Sequence, residues 1–118
     1  MKISEKYESF DEEKVENIVN ELIKSGIIFS VGIEPALYQK IQRVATKLGY
    51  MDIEPMDLGR SYVLRNEDYL KISDKVWQYI VAGILAPGNN RNNPWFPHLH
   101  LTEKGKEILE KNKKIIVY

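Results

Sequence analysis

The sequence contains no cysteine and only two histidines, and these absences exclude several kinds of chemistry. Without thiols the chain can form no disulfide, no thiolate zinc site and no cysteine nucleophile. It also has no glycine-rich phosphate loop of the Walker or dinucleotide-binding type and no serine in a nucleophile-elbow pattern. We therefore expect a protein that is not an enzyme and that carries neither a metal nor a cofactor.

Long hydrophobic runs are absent as well. No apolar run approaches the roughly 20 residues that a membrane-spanning helix requires. The first residues, MKISEKYESFDEEK, are charged throughout and lack the apolar stretch of about 7 to 15 residues found in a secretory signal peptide. At 118 residues the chain has the length of one domain. We expect a single domain over residues 1–118, with no membrane contact and a cytoplasmic location.

Neither sign of charge is in excess, because 17 Lys and Arg residues balance 17 Asp and Glu residues. A strongly basic domain would suggest a nucleic-acid partner from its composition alone. This chain does not, so a case for such a partner has to come from local patterns.

The clearest local pattern is an amphipathic helix in DEEKVENIVNELIKSG. Its apolar residues recur at spacings of three and four, Asp11 or Ser9 can cap its start, and Gly26 suits the position after its end. The next segment, IIFSVGI at 27–33, is rich in β-branched residues and predicts a short buried strand, with an apolar loop as the alternative. A second helix is predicted between Pro35 and Gly49. Its expected buried stripe is Leu37, Ile41, Val44 and Leu48.

Residues 50–72 have the least regular pattern, because Pro55 and Gly59 interrupt any helix. The letters RSYVL within this segment permit a strand. A third helix is predicted to begin at a Ser73 cap and to run through residues 73–83. Its expected buried face comprises Val76, Trp77, Ile80, Val81 and Ile84.

The last third of the chain predicts a hairpin followed by a helix. ILAP offers a short strand, a polar loop with four asparagines follows, and FPHLHL offers a return strand. In that strand Leu99 and Leu101 should face the core while His98 and His100 face solvent. Thr102 is placed to cap the final helix.

This region resembles the winged helix-turn-helix superfamily over residues 73–112, most closely in VAGIL at 81–85 and LTEKGKEIL at 101–109. The resemblance implies an α+β fold, mostly helical, with a small antiparallel wing sheet. It also implies a DNA-binding transcriptional regulator that acts as a homodimer. The helix at 73–83 would then enter double-stranded DNA, and the wing loop at 88–96 would contact it. The helix from Thr102 onward, with Ile108, Leu109 and the apolar IIVY end, or else the first helix, would supply the dimer surface. The alternatives for the IIVY end are that it adds a strand or tucks into the domain.

The residues expected to contact DNA lie in three places. Arg91 in the wing loop is suited to a phosphate or a narrow minor groove, and its asparagine neighbours offer amide donors and acceptors. These loop asparagines are Asn89, Asn90 and Asn92. The third helix would present Lys75, Gln78 and Tyr79 to a major groove, and the second helix would present Lys40, Arg43 and Lys47 to phosphates. The alternatives are that asparagine is common in turns for conformational reasons and that polar helix faces are simply solvated.

A second function is also compatible with this sequence. Trp95 and Phe96 adjoin the polar loop, where aromatic side chains can stack on bases or anchor a protein interface. We favour packing against the base of the wing for Phe96 and leave Trp95 open. The chain could then be a non-enzymatic protein-protein interaction or inhibitor module on a winged-helix scaffold. His98 and His100 have a spacing that would suit a metal, but no third ligand is evident and we predict no metal site.

Overall fold

The computed structural model describes residues 7–31, 36–57 and 62–116. Within these ranges the fold is of the α+β class, with five α-helices and one two-stranded antiparallel sheet. The elements are α1 (Glu12–Lys24), α2 (Ile27–Val31), α3 (Ala36–Lys47), α4 (Asn66–Val81), β1 (Leu85–Pro87), β2 (Leu99–Leu101) and α5 (Glu103–Asn112). Among the helices in these ranges, none has the length and apolar content needed to span a lipid bilayer.

Helix α1 lies at the centre of the fold and packs against α2, α3 and α4. The predicted cap is confirmed, because the Asp11 side chain accepts a hydrogen bond from the Lys14 backbone N–H at 2.9 Å. The predicted apolar face is confirmed too. Its buried members are Val15, Ile18, Val19, Leu22 and Ile23.

The segment after α1 is a helix, and the predicted strand at 27–33 is wrong over the described residues up to position 31. Gly26, with a φ of +79°, redirects the chain, and the Phe29 N–H donates to the Gly26 carbonyl at 3.1 Å. Ile28 is thereby buried against the core. Tertiary packing outweighs the β preference of these residues, a preference that depends strongly on context.

Helix α3 matches the second predicted helix and buries Leu37, Ile41 and Val44, while Leu48 is half-buried beyond its end. Gln42 is also buried, and its Oε1 accepts hydrogen bonds from the backbone N–H groups of Val63 and Leu64 at 2.8 and 2.9 Å. Of the possible strand RSYVL, residues 60 and 61 lie outside the described ranges. Residues 62–64 are not a strand, because a side chain of α3 takes the N–H groups that a neighbouring strand would have taken.

Helix α4 begins at Asn66, so the predicted start at a Ser73 cap is wrong. The first turns of α4 are held by Asp68, whose side chain is fully buried and accepts hydrogen bonds from Tyr7 Oη at 2.7 Å and Ser9 Oγ at 2.8 Å. The Phe10 N–H and Lys71 Nζ add contacts at 3.1 and 3.3 Å. Burial by itself would raise the pKa of Asp68, but these four donors outweigh it and the pKa is lowered. The Asp68 carboxylate thus joins the N-terminal segment to α4, and Lys71 adds a hydrogen bond to the Phe10 carbonyl at 2.9 Å.

The predicted hairpin and final helix are confirmed. Strands β1 and β2 are antiparallel, with Leu85 opposite Leu101 and Pro87 opposite Leu99. Leu99 is completely buried and Leu101 is half-buried. The Thr102 hydroxyl donates to the Gly83 carbonyl at 2.6 Å and accepts from the Gly105 N–H at 3.0 Å, so it joins the end of the hairpin to the start of α5.

The C-terminal segment folds back onto the domain. The Ile115 N–H donates to Asn20 Oδ1 at 2.5 Å, and the Ile115 side chain is buried. Ile108 on α5 is buried as well, and Leu109 is half-buried. Ile108 and Ile115 belong to the core and Leu109 packs against it, in agreement with the alternative that this end of the chain tucks into the domain. Residues 117 and 118 lie outside the described ranges.

Candidate functional site

The side of α4 expected to face DNA is in fact turned inward at two of its three residues. Lys75 is buried and forms ion pairs with Glu12 and, at 3.9 Å, with Glu16, which join α4 to α1. Tyr79 is buried on the same side. Burial, with Glu16 and Glu12 nearby, raises its pKa to about 12. Only Gln78 of the predicted trio is exposed. The prediction that Lys75 and Tyr79 lie on the exposed face of this helix is therefore wrong.

The buried face predicted for the third helix is rotated about the helix axis relative to the face that α4 buries in the structure. Ile72, Val76 and Tyr79 face the core, whereas Trp77 and Val81, which were expected to be buried, are 42% and 85% exposed. Because each residue turns an α-helix by about 100°, Trp77 and Val81 project on the side opposite the core. Leu70, 50% exposed, and Asp74, also exposed, project there too.

We call these four residues the α4 stripe: Leu70, Asp74, Trp77 and Val81. The stripe runs along most of the helix and is apolar at three of its four positions. Glu67 adjoins its N-terminal end and is exposed. Lys71, on the flank, has its amine engaged by Ser9, the Phe10 carbonyl and Asp68. The exposed side of α4 therefore combines apolar and acidic groups, with no uncommitted cation.

The hairpin extends this apolar surface. The Phe96 ring packs against Trp77 with centroids 5.1 Å apart, yet 45% of Phe96 remains exposed. Trp95 beside it is 76% exposed. Phe96 therefore packs on α4, and Trp95 is open to solvent. We call these two residues the hairpin aromatics.

Asparagine side chains of the polar hairpin loop form hydrogen bonds within the protein that fix the conformation of the loop. Asn90 Oδ1 accepts from the backbone N–H groups of Asn92 and Asn93 at 2.8 and 2.9 Å, which closes the tip. The Asn89 amide donates to the Phe29 carbonyl at 2.9 Å and holds the loop against α2. Arg91 and Asn92 are exposed at the tip. Asn89 and Asn90, two of the three asparagines predicted to contact DNA, thus form hydrogen bonds that hold the loop in place. This agrees with the alternative that asparagine occurs in the loop for conformational reasons.

The predicted cations of α3 differ in their surroundings. Lys47 pairs with Glu21 of α1 at 3.3 Å. Arg43 is exposed and Lys40 is half-buried. Within the described ranges, no carboxylate lies within ion-pair distance of Lys40, Arg43 or Arg91. These three cations lie on two separate elements, α3 and the hairpin tip.

The two histidines of β2 and its approach are not part of a metal site in the described ranges, where no group of three His, Cys, Asp or Glu side chains could hold an ion. His100 is exposed, and its Nδ1 lies 2.8 Å from the Gly88 carbonyl oxygen. His98 is half-buried.

A groove of about 950 Å³ borders the α4 stripe. Asp74, Trp77 and Val81 form one wall, and Lys114, Ile115 and Ile116 of the C-terminal segment form another. The α4 stripe is therefore an exposed apolar ridge, with Phe96 packed beside Trp77 and an open groove along it.

Sequence patterns missed this surface because apolar residues at helical spacing were assigned to the core. A signal was nonetheless present, since Leu70, Trp77 and Val81 share one face while Ile72, Val76 and Tyr79 share the opposite one. Two apolar faces on one helix predict that one of them is exposed. The start of α4 at Asn66 was needed to bring Leu70 into the pattern.

Comparison of the chain with known protein families, with curated proteins and with solved structures gives no match in any of the three. A function has to be inferred from the residues of this chain.

Proposed function

We propose that this chain is a non-enzymatic protein-protein interaction module on a winged-helix-like scaffold, and that it binds through the α4 stripe and the hairpin aromatics. The observation that carries this proposal is the apolar ridge on the solvent side of α4. The succession of helix, strand, loop, strand and capped helix in residues 66–112 supports the winged-helix comparison.

The amount of exposed apolar surface favours a binding role. An aromatic side chain has an area of about 150–250 Å² and a Leu or Val side chain somewhat less, so the exposed fractions of the five apolar residues together amount to about 500 Å². That is near the upper end of the roughly 300–600 Å² found for the largest apolar patch on a monomer. Removing this area from water contributes on the order of 10 kcal/mol before the cost of association is subtracted. A partner could therefore be held with useful affinity. The five residues are Leu70, Trp77, Val81, Trp95 and Phe96.

The charges on this surface favour a protein over DNA. Glu67 and Asp74 would lie against phosphates if α4 entered a groove, and like charges repel. Affinity for DNA comes largely from cations that neutralise phosphates. The nearest cations of α4, Lys71 and Lys75, are committed to Asp68 and Glu12 within the chain.

Affinity purification tests this function. A tagged chain is expressed together with an untagged copy, and bound proteins are quantified for the wild type and for Val81→Glu and Trp95→Ala. Val81 is 85% and Trp95 76% exposed, so the variants should keep the wild-type circular dichroism and melting temperature. We expect each to lose most of a specifically bound protein. Met56→Glu is the matched control, because Met56 is 80% exposed and belongs to neither α4 nor the hairpin.

If both stripe and hairpin variants retain every bound protein at the level of Met56→Glu, this surface is not the binding site and the proposal fails.

DNA binding is the second candidate function, and Arg91, Lys40 and Arg43, which have no ion-pair partner in the described ranges, favour it. In a salt titration of fluorescence anisotropy with mixed-sequence duplex, each lost phosphate contact should lower the slope of log K against log salt by about 0.9. The triple alanine variant of these cations should then lose up to about three such contacts. Lys106→Ala on α5 serves as the control. No anisotropy change with wild-type protein at low salt excludes this function.

A further inference from the structure

The spacing of the α4 stripe is symmetric. Its members are separated by four, three and four residues, so the order of intervals is the same in both directions along the helix. If two α4 helices pack antiparallel about a two-fold axis, Leu70 of each lies against Val81 of the other. Asp74 of each then lies against Trp77 of the other. A two-fold interface requires this kind of self-complementary surface.

The chemistry of the central pair suits this register. The indole N–H of Trp77 is a donor without an acceptor function, and the Asp74 carboxylate is an acceptor. Within the described ranges neither group has a hydrogen-bond partner. If two copies pack antiparallel, the Trp77 N–H of each copy can donate to the Asp74 carboxylate of the other. Each of these two hydrogen bonds would lie next to an apolar contact between Leu70 and Val81.

The charges at the two ends of α4 also favour an antiparallel arrangement. Glu67 lies at the N-terminal end. At the C-terminal end, Lys104 Nζ donates to the Ala82 carbonyl at 2.7 Å, and Lys114 lines the groove beside Val81. Antiparallel packing brings each acidic end toward the basic end of the other copy. Parallel packing would instead set Asp74 against Asp74 and Glu67 against Glu67.

We propose that the chain forms a two-fold homodimer through antiparallel α4 helices, an inference that rests on the proposed function and names a second copy of this chain as the partner. The five exposed apolar side chains supply about 500 Å² per copy, and a specific interface buries about 600–1,000 Å² per partner. Asp74 in the central pair, with Gln78 and Glu67 at the border, supplies the remaining polar area.

Sedimentation equilibrium of the full chain and of two charge variants tests this dimer. Leu70→Lys and Val81→Glu each place a charge against an apolar residue of the other copy, so each variant alone should raise the dimer dissociation constant at least about tenfold. An equimolar mixture should restore dimerisation, because the introduced lysine of one copy would meet the introduced glutamate of the other while the second contact stays native. Met56→Glu should dimerise like the wild type.

Three results would overturn the inference. A wild-type chain that stays monomeric up to about 0.5 mM has no dimer of useful affinity. Variants that dimerise like the wild type place the interface elsewhere. A mixture that stays monomeric, while each variant keeps its fold, contradicts the antiparallel register. If the chain is monomeric but Val81→Glu still loses another bound protein in the affinity purification, the interaction function stands and only the choice of partner is wrong.

Discussion

Asp68 shows how one side chain positions two distant parts of the chain. Its buried carboxylate accepts hydrogen bonds from Tyr7, Ser9, the Phe10 N–H and Lys71, so it joins segment 7–10 to α4. A buried carboxylate that loses its charge or its donors leaves several polar groups unpaired, which is costly. The exposed Glu110 on α5 makes no such contacts within the described ranges.

Asp68→Asn should lower the free energy of unfolding by about 2–4 kcal/mol, because an amide cannot accept all four hydrogen bonds. Chemical denaturation at neutral pH measures this loss. Glu110→Gln on α5 is the control and should change the free energy of unfolding by less than about 0.5 kcal/mol, as expected for an exposed site. Equal effects of the two substitutions would show that the Asp68 network does not stabilise the fold.

The same residue predicts a dependence of stability on pH. Its folded pKa is lowered below the ordinary value of 3.8. The charged form is therefore favoured by folding, and the resulting stabilisation is present above about pH 4 and is lost as the pH falls through the folded pKa. Denaturation midpoints measured from pH 6 downward should fall for the wild type and fall less for Asp68→Asn. Parallel curves for the two proteins would contradict this assignment.

At the level of elements, helix α5 is fixed to the hairpin by a close backbone approach at Gly105. A Cβ atom at this position would lie 2.5 Å from the Ile84 carbonyl oxygen and 2.6 Å from Leu101 Cδ1. Thr102 caps α5 at the same junction. The hairpin and α5 should therefore behave as one unit.

Gly105→Ala should destabilise the protein by about 1–3 kcal/mol, although alanine is the better helix former, because the added methyl overpacks the junction. Thermal unfolding followed by circular dichroism measures the change. Lys106→Ala, one position along and exposed, should be close to neutral. A Gly105→Ala protein as stable as the wild type would mean that α5 can move away from Ile84 without cost.

Local patterns predicted the elements whose boundaries depend on neighbouring residues. Helix α1 with its Asp11 cap and the hairpin with its Thr102 cap are of this kind. The start of α4 was missed because Asp68 is held by residues 58 to 61 positions away in the chain. The burial of Lys75 likewise depends on Glu12 of α1, a long-range contact that spacing does not reveal. The candidate site was missed for the same reason, since only tertiary packing decides which apolar face of α4 is covered.

At the level of the whole molecule, the α4 stripe and the exposed cations lie on different parts of the surface. Arg91 is at the hairpin tip and Arg43 is on α3, whereas the ridge of α4 is apolar and acidic. A homodimer through α4 would cover the helix that the winged-helix resemblance assigns to a DNA groove. Dimerisation and groove binding by α4 would therefore exclude each other.

The two indole N–H signals in a ¹H–¹⁵N spectrum test most directly whether α4 contacts protein or DNA, because Trp77 and Trp95 are the two tryptophans of the chain. On raising the protein concentration, the Trp77 signal should move progressively as its N–H meets a carboxylate of a second copy. Adding duplex DNA to dilute protein at low salt should leave it in place. A Trp77 signal whose chemical shift does not depend on protein concentration but changes on addition of DNA would contradict the proposal that α4 contacts a second copy of the chain.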